Sequence, residues 1–153
     1  MSGPLAGIRV LDLTINVLGP LATQLLGDMG ADVIKIETPQ GDPMRQAGMS
    51  RNPNMAALFM NTNRNKRSVV LDLKRAPALA ALMRLVATAD VLVHSLRPGA
   101  AGRLGIGYTE IQARNPKIIY AYAPGYRSDG PYRDRPAFDD VIQGESGIAA
   151  MIG

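Results

Sequence analysis

Apolar positions along this chain come in short clusters whose spacing switches between about two and about 3.6 residues. Ile8 to Leu13 is a compact, partly β-branched run followed by a turn at Leu18-Gly19-Pro20, and it reads as a buried strand. From Leu21, the residues Leu21, Leu25, Leu26 and Met29 recur at helical spacing as far as Gly30, a suitable C-terminal cap. Pro20 stands where such a helix can begin. Asp32-Val33-Ile34-Lys35-Ile36-Glu37 then returns to strand character. A strand, helix, strand unit of this kind closes as a right-handed crossover between parallel strands. Its tight first connection leaves backbone amides near a helix start, where anions are welcome.

The pattern recurs downstream, with Ser68 to Leu73 as strand, Ala76 to Thr88 as helix and Val91 to Leu96 as strand. Helical pieces are expected around Gly99 to Leu104 and Thr109 to Arg114, a further strand over Lys117 to Ala123, and an apolar helix over Val141 to Ile152. The spacing predicts the α/β class, a mostly parallel sheet with helices on both faces. Thr38 to Arg67, rich in proline, glycine and asparagine, shows little periodicity and is long for a bare connection, as functional loops often are. The apolar stretch that runs up to Gly153 has no polar tail, and the sequence reads as a piece of a larger domain.

Composition narrows the chemistry. A chain of 153 residues with 46% apolar and 20% charged content is expected to bury one core. Seventeen Lys and Arg against thirteen Asp and Glu suit an anionic ligand but fall far short of a nucleic-acid coat. Without cysteine, and with one histidine, thiolate and histidine-rich metal sites are ruled out, and no metal is expected. No basic leader and no run of roughly 20 apolar residues is present, so the expected address is cytoplasmic, away from membranes.

Two basic clusters carry the candidate chemistry. In NRNKRSVVLDLK, Arg64, Lys66 and Arg67 precede a strand while Lys74 and Arg75 follow it. They read either as solvated cations or as a ligand site. Open α/β sheets bind ligands outside the carboxyl ends of their strands, which assigns phosphate binding to the Lys74 side and a different job to Arg64, Lys66 and Arg67. In HSLRPGAAGRLG, Arg97 and Arg103 surround a turn in which Gly99 lets backbone amides approach an anion. His94 reads as a hydrogen-bonded, partly buried strand residue rather than a catalytic base. Asp12 and Asp72 fall in strand patterns as structural acceptors, and Asp139 with Asp140 is placed to cap the last helix. No GxSxG, Walker, GxGxxG or HExxH motif occurs.

Taken together, PLAGIRVLDL, LGPLATQLLGDMGADVIKIE, NRNKRSVVLDLK, ADVLVHSLRPGAAGRLGIGY, ARNPKIIYAYAPGY and DGPYRDRPAFDDVIQGESGIAAMIG resemble the family III CoA-transferases, the group of formyl-CoA transferase, carnitine CoA-transferase and α-methylacyl-CoA racemase. The resemblance runs the length of the chain. It implies a CoA site in which Leu71 and Lys74 border the nucleotide, and in which Ser95, Leu96, Ala100, Arg103 and Leu104 surround adenine and phosphates. Val17 and Leu18 would then lie near the thioester end, and Phe138 and Asp139 near the substrate.

The family's reaction moves CoA between an acyl-CoA and a free carboxylic acid through an acylated aspartate. The matching aspartate falls in a Gly-Asp block beyond Gly153, so no catalytic residue is assigned within this chain. The resemblance further implies an interlocked homodimer, and a 153-residue N-terminal part of its Rossmann-like large domain that is inactive and poorly stable alone. Phe138 stands where the racemase branch carries a histidine, which favours transfer over the alternative of an acyl-CoA racemase. Val17 replaces the glutamine of formyl-CoA transferase, and His94-Ser95 replaces the usual Glu-Asn. A CoA-binding module without catalysis is the remaining alternative.

Overall fold

The computed structural model describes residues 2–152. Five strands form one sheet: β1 (Arg9–Leu13), β2 (Asp32–Glu37), β3 (Lys66–Val70), β4 (Val91–His94) and β5 (Ile119–Tyr122). Their order is β3-β2-β1-β4-β5 and every pairing is parallel. The helices are α1 (Leu18–Asp28), α2 (Ala57–Asn63), α3 (Ala76–Val86), α4 (Ala100–Arg103), α5 (Tyr108–Arg114), α6 (Asp139–Glu145) and α7 (Ile148–Ile152). The expected α/β sheet is therefore present, and wholly parallel.

Alternation along the strands sends side chains to two cores. Leu11, Leu13, Ile34, Ile36 and Leu92 join Leu82 and Val86 of α3 and Ile111 of α5 on one face. Val10 and Val33 turn the other way and pack with Ala31 and with Leu26 of α1. From β1 the chain winds outward through β2 and β3, then returns to add β4 and β5 on the opposite side. The loops after β1 and β4 therefore diverge, and the carboxyl edge between them is the switch point at which such sheets open a crevice.

The face under α1 changes character toward that edge. Asp12 is fully buried, yet its carboxylate accepts hydrogen bonds from the Thr14 N–H, the Thr14 and Thr23 hydroxyls and Lys66 Nζ. Lys66 reaches in from β3, with only 2% of its side chain exposed, to lie 2.9 Å from Asp12, and it donates also to the Pro20 carbonyl and Asn63 Oδ1. All three ammonium protons are satisfied. This one contact ties β1 to β3, to the start of α1 and to the end of α2.

Several expected boundaries move. Helix α1 begins at Leu18, with no turn at Gly19-Pro20. Pro20 occupies the first turn, where a missing N–H costs nothing, and Gly19 is so close to β1 that an added Cβ would stand 2.4 Å from the Thr14 Cβ. Strand β3 starts at Lys66 and stops at Val70, because Asp72 leaves the sheet to form a turn, accepting the Lys74 N–H and pairing with Arg75. Asp72 is a turn residue. Residues 38–67 are not bare either, since they hold a 3₁₀ turn at Pro43–Arg45 as well as α2. The last apolar stretch is broken by Gly147, at φ 77°, into α6 and α7, and Gly153 lies outside the described residues.

Two expectations follow for stability, both read from urea unfolding. Gly19→Ala forces the first turn of α1 off Thr14 and should lower stability by about 1–3 kcal/mol. Lys66→Met leaves Asp12 buried beside an apolar chain and should cost about 3–5 kcal/mol, more than Lys66→Met combined with Asp12→Leu.

Candidate functional site

The carboxyl edge of the sheet is assembled from four loops. After β1, Thr14 is buried while Ile15, Asn16 and Val17 are exposed. Val17 is the N-cap of α1 and supplies no side-chain cap, and Leu18 beside it is 75% exposed, an apolar group left uncovered at the rim. After β4, the Ser95 Oγ accepts the Ile15 N–H at 3.2 Å, so the two loops that flank the switch point are joined by one hydrogen bond. Leu96 is half-buried and its N–H donates to His94 Nδ1.

Gly99 follows in the left-handed region, φ 71°, as the N-cap of α4, which carries Ala100 first and Arg103 last, with Leu104 as C-cap. A Cβ on Gly99 would stand 3.1 Å from Arg103 Nη1, so the guanidinium folds back over that glycine. Leu71 and the exposed Lys74 lie in the turn after β3. Phe138, an exposed N-cap, and Asp139, the first residue of α6, are farther along the chain. Asp139 and Asp140 do not cap that helix. They sit in its first turn, where the helix dipole favours negative charge, and Asp139 Oδ2 accepts from Gln143 Nε2.

Two clefts open near this edge. One, of about 270 Å³, is lined by residues of the β2 loop, including Glu37, Gly41 and Arg45, and by Val70. The other, of about 260 Å³, is walled by His94, Tyr108, Tyr120 and Tyr122 with Arg97 and Gly99 at its side. Neither lining includes Lys74 or Arg103.

Charge pairing divides the cations that the sequence grouped together. Arg64 pairs with Asp28, Arg67 with Asp32, and Lys66 is the buried partner of Asp12, so these three are consumed by the fold. Lys66 is thus no solvated loop cation. Lys74, Arg97 and Arg103 make no ion pair among the described residues, which leaves their charge available to an outside anion. His94 is 3% exposed, stacked on Tyr122 at 4.8 Å and edge-on to Tyr120. Burial pushes its pKa down to about 4, so it is a neutral packing group and no base.

What the sequence left unmarked is a second set of buried charges. Lys35, with 1% of its side chain exposed, lies 2.9 Å from Asp42 Oδ2. Glu37 takes two hydrogen bonds from Arg45, one from the Ser68 hydroxyl and one from the Asp42 N–H. Burial opposes its charge, but these donors outweigh it and bring its pKa down to about 2. The Arg45 guanidinium also lies 3.8 Å over the Phe59 ring. Among the described residues no group of three or more His, Asp or Glu gathers as a metal site, and no helix is long and apolar enough to cross a membrane.

The sequence profile of CoA-transferase family III matches residues 5–153. The chain belongs to that family. A probable fatty acyl-CoA transferase of Mycobacterium tuberculosis is 44% identical over 95% of this chain, and a succinate–glutarate CoA-transferase of Agrobacterium fabrum is 41% identical over 98%. These stretches are 37% and 39% of the relatives' own lengths, so the chain spans about two-fifths of each. Among solved structures, a CAIB/BAIF family protein of Brucella suis superposes with TM-score 0.91 at 38% identity, over 97% of this chain and 40% of its own. The α/β fold is thus that of the family III transferases.

Acid stability should report both buried groups. The His94 pKa falls from 6.5 to about 4 on folding, so the unfolded chain binds its proton first and stability drops as pH falls from 6.5 toward 4. Glu37, lowered from 4.5 to about 2, adds a loss below pH 4.5. Each is worth on the order of 2–3 kcal/mol. In urea midpoints measured against pH, His94→Gln should flatten the upper segment and Glu37→Gln the lower one.

Proposed function

We propose that this chain is the N-terminal, CoA-binding part of the large domain of a CoA-transferase that moves CoA from an acyl-CoA to a free carboxylic acid. In this reading the acyl group passes through an aspartate beyond Gly153, and none of the catalytic carboxylates lies in this chain. The attack of that carboxylate on the thioester carbonyl forms a mixed anhydride and releases the CoA thiolate. The thiolate then attacks the aspartyl carbonyl of the anhydride, expelling the donor's carboxylate and leaving an aspartyl-CoA thioester for the incoming acid. The working enzyme is an interlocked, cytoplasmic homodimer, and residues 1–153 alone are inactive.

The observation that supports the reading is that Lys74, Arg97 and Arg103, on the loops after β3 and β4 at the carboxyl edge of the sheet, make no ion pair among the described residues. Lys74 and Arg103 meet the phosphates, while Leu71, Ser95, Leu96, Ala100 and Leu104 border the adenosine. Val17 and Leu18 give the pantetheine arm an apolar rim that points the thioester toward the substrate region at Phe138 and Asp139. Phe138 has no titratable group with which to move an α-proton, which favours transfer over racemisation.

The test uses the intact protein with succinyl-CoA and glutarate, the acids named for the Agrobacterium relative, followed by other acyl-CoA and acid pairs. Ping-pong kinetics and a hydroxylamine-trapped aspartyl adduct are expected. Proton exchange at the α-carbon without CoA transfer would overturn the reading. In calorimetry, Lys74→Ala and Arg103→Ala should each weaken CoA binding about tenfold, as one lost charge-assisted hydrogen bond does. Dephospho-CoA should bind more weakly than CoA.

A further inference from the structure

Three successive backbone amides in the loop after β1 are each held by a different side chain. The Thr14 N–H donates to Asp12 Oδ1 at 2.9 Å, the Ile15 N–H to Ser95 Oγ at 3.2 Å, and the Asn16 N–H to Asp42 Oδ1 at 3.3 Å. The Thr14 carbonyl is gripped in turn by Lys35 Nζ at 2.9 Å. Asp42, 2% exposed, also accepts the Met44 N–H, so its carboxylate joins the loop after β2 to the loop after β1.

Asn16 lies in the left-handed region, φ 68°, which asparagine adopts more readily than other non-glycine residues. A buried ammonium–carboxylate pair is often no more stabilising than apolar side chains of the same size, whereas its directional partners fix geometry. Lys35 and Asp42 are themselves out of reach of any ligand, so whatever they do for one is done through residues 14–17.

We infer that the buried Lys35–Asp42 pair is a positioning device for the thioester end of CoA. It sets the path of Thr14, Ile15 and Asn16, and with it the placing of Val17 and Leu18 over the reacting carbonyl, while the nucleotide end is held separately by the β3 and β4 loops. This rests on the CoA-transferase reading given above. Neither residue is catalytic. A displacement of the loop by an ångström is enough to take the thioester out of attack range without releasing CoA.

The experiment uses the intact protein and compares Lys35→Met/Asp42→Leu, in which no lone charge is left buried, with Lys35→Met/Asp42→Asn, which keeps a carbonyl acceptor for Asn16 and Met44. The first variant should lose about tenfold or more in kcat with succinyl-CoA and glutarate, or with whichever pair the wild type turns over, while its Kd for CoA stays within about threefold. Amide hydrogen exchange over residues 14–17 should quicken about tenfold, with the central strands β1 and β4 unchanged. The second variant should recover part of kcat and of the protection.

Retention of kcat within about twofold overturns the inference, as does a loss of CoA binding that matches the loss of kcat with faster exchange throughout the sheet. If the Leu variant does not fold, the Asn variant decides: a wild-type kcat and wild-type exchange over residues 14–17 overturn the inference. A wild type with no transfer on any acyl-CoA sinks the transferase reading instead, and exchange over residues 14–17 still tests the positioning role.

Discussion

The carboxylate of Asp12 sits with no exposure to water in the central strand, and the surrounding architecture is arranged to satisfy it. A lone charge there would be prohibitively costly, so the site requires an ammonium and hydroxyls at fixed positions. Lys66 supplies the charge from two strands away, and Thr14 and Thr23 supply the remaining donors. Because Lys66 must also reach the Pro20 carbonyl, the first turn of α1 is drawn down onto β1, which is why only glycine fits at position 19. The start of α1 is therefore set by electrostatics inside the sheet as much as by helix propensity.

From that constraint the candidate site follows. With the first turn of α1 pinned, the residues between Thr14 and Val17 have one route across the switch point. The side chains of Asp42 and Ser95 take up its amides from either side. The two ends of β3 separate cations by duty. Arg64, Lys66 and Arg67 neutralise carboxylates and are part of the scaffold, whereas Lys74, Arg97 and Arg103, on the β3 and β4 loops, make no ion pair among the described residues. Membership of CoA-transferase family III is in keeping with this geometry.

Much of the architecture could be read from spacing. The run VLDL, the helical recurrence of Leu21, Leu25 and Met29, and the later repeat of strand and helix require a parallel sheet, because crossover connections of that length permit little else. Boundaries were less legible. Lys66 and Arg67 look like loop cations in a linear text, but pairing with β2 at Val33 and Ile34 makes them strand residues. Gly147 divides a continuous apolar stretch through its positive φ, a backbone state that apolar periodicity does not record. Lys74 and Arg103 are visible in the sequence as cations beside turns, but nothing in its pattern marks Lys35, Glu37 and Asp42 as buried charges.

The strand DVIKIE shows where the division falls. Its alternation by itself determines that Ile34 and Ile36 share one face and Lys35 and Glu37 the other, and simple patterning assigns the charged face to water. Only the tertiary structure decides that this second face is also covered, by α1 and the loop that returns through Asp42, so that all four side chains are buried. The physical reason is that hydrophobic period is a local property of a strand. The cost of burying an ammonium is met by partners 7 and 21 residues away, whose approach depends on how the chain winds around the sheet.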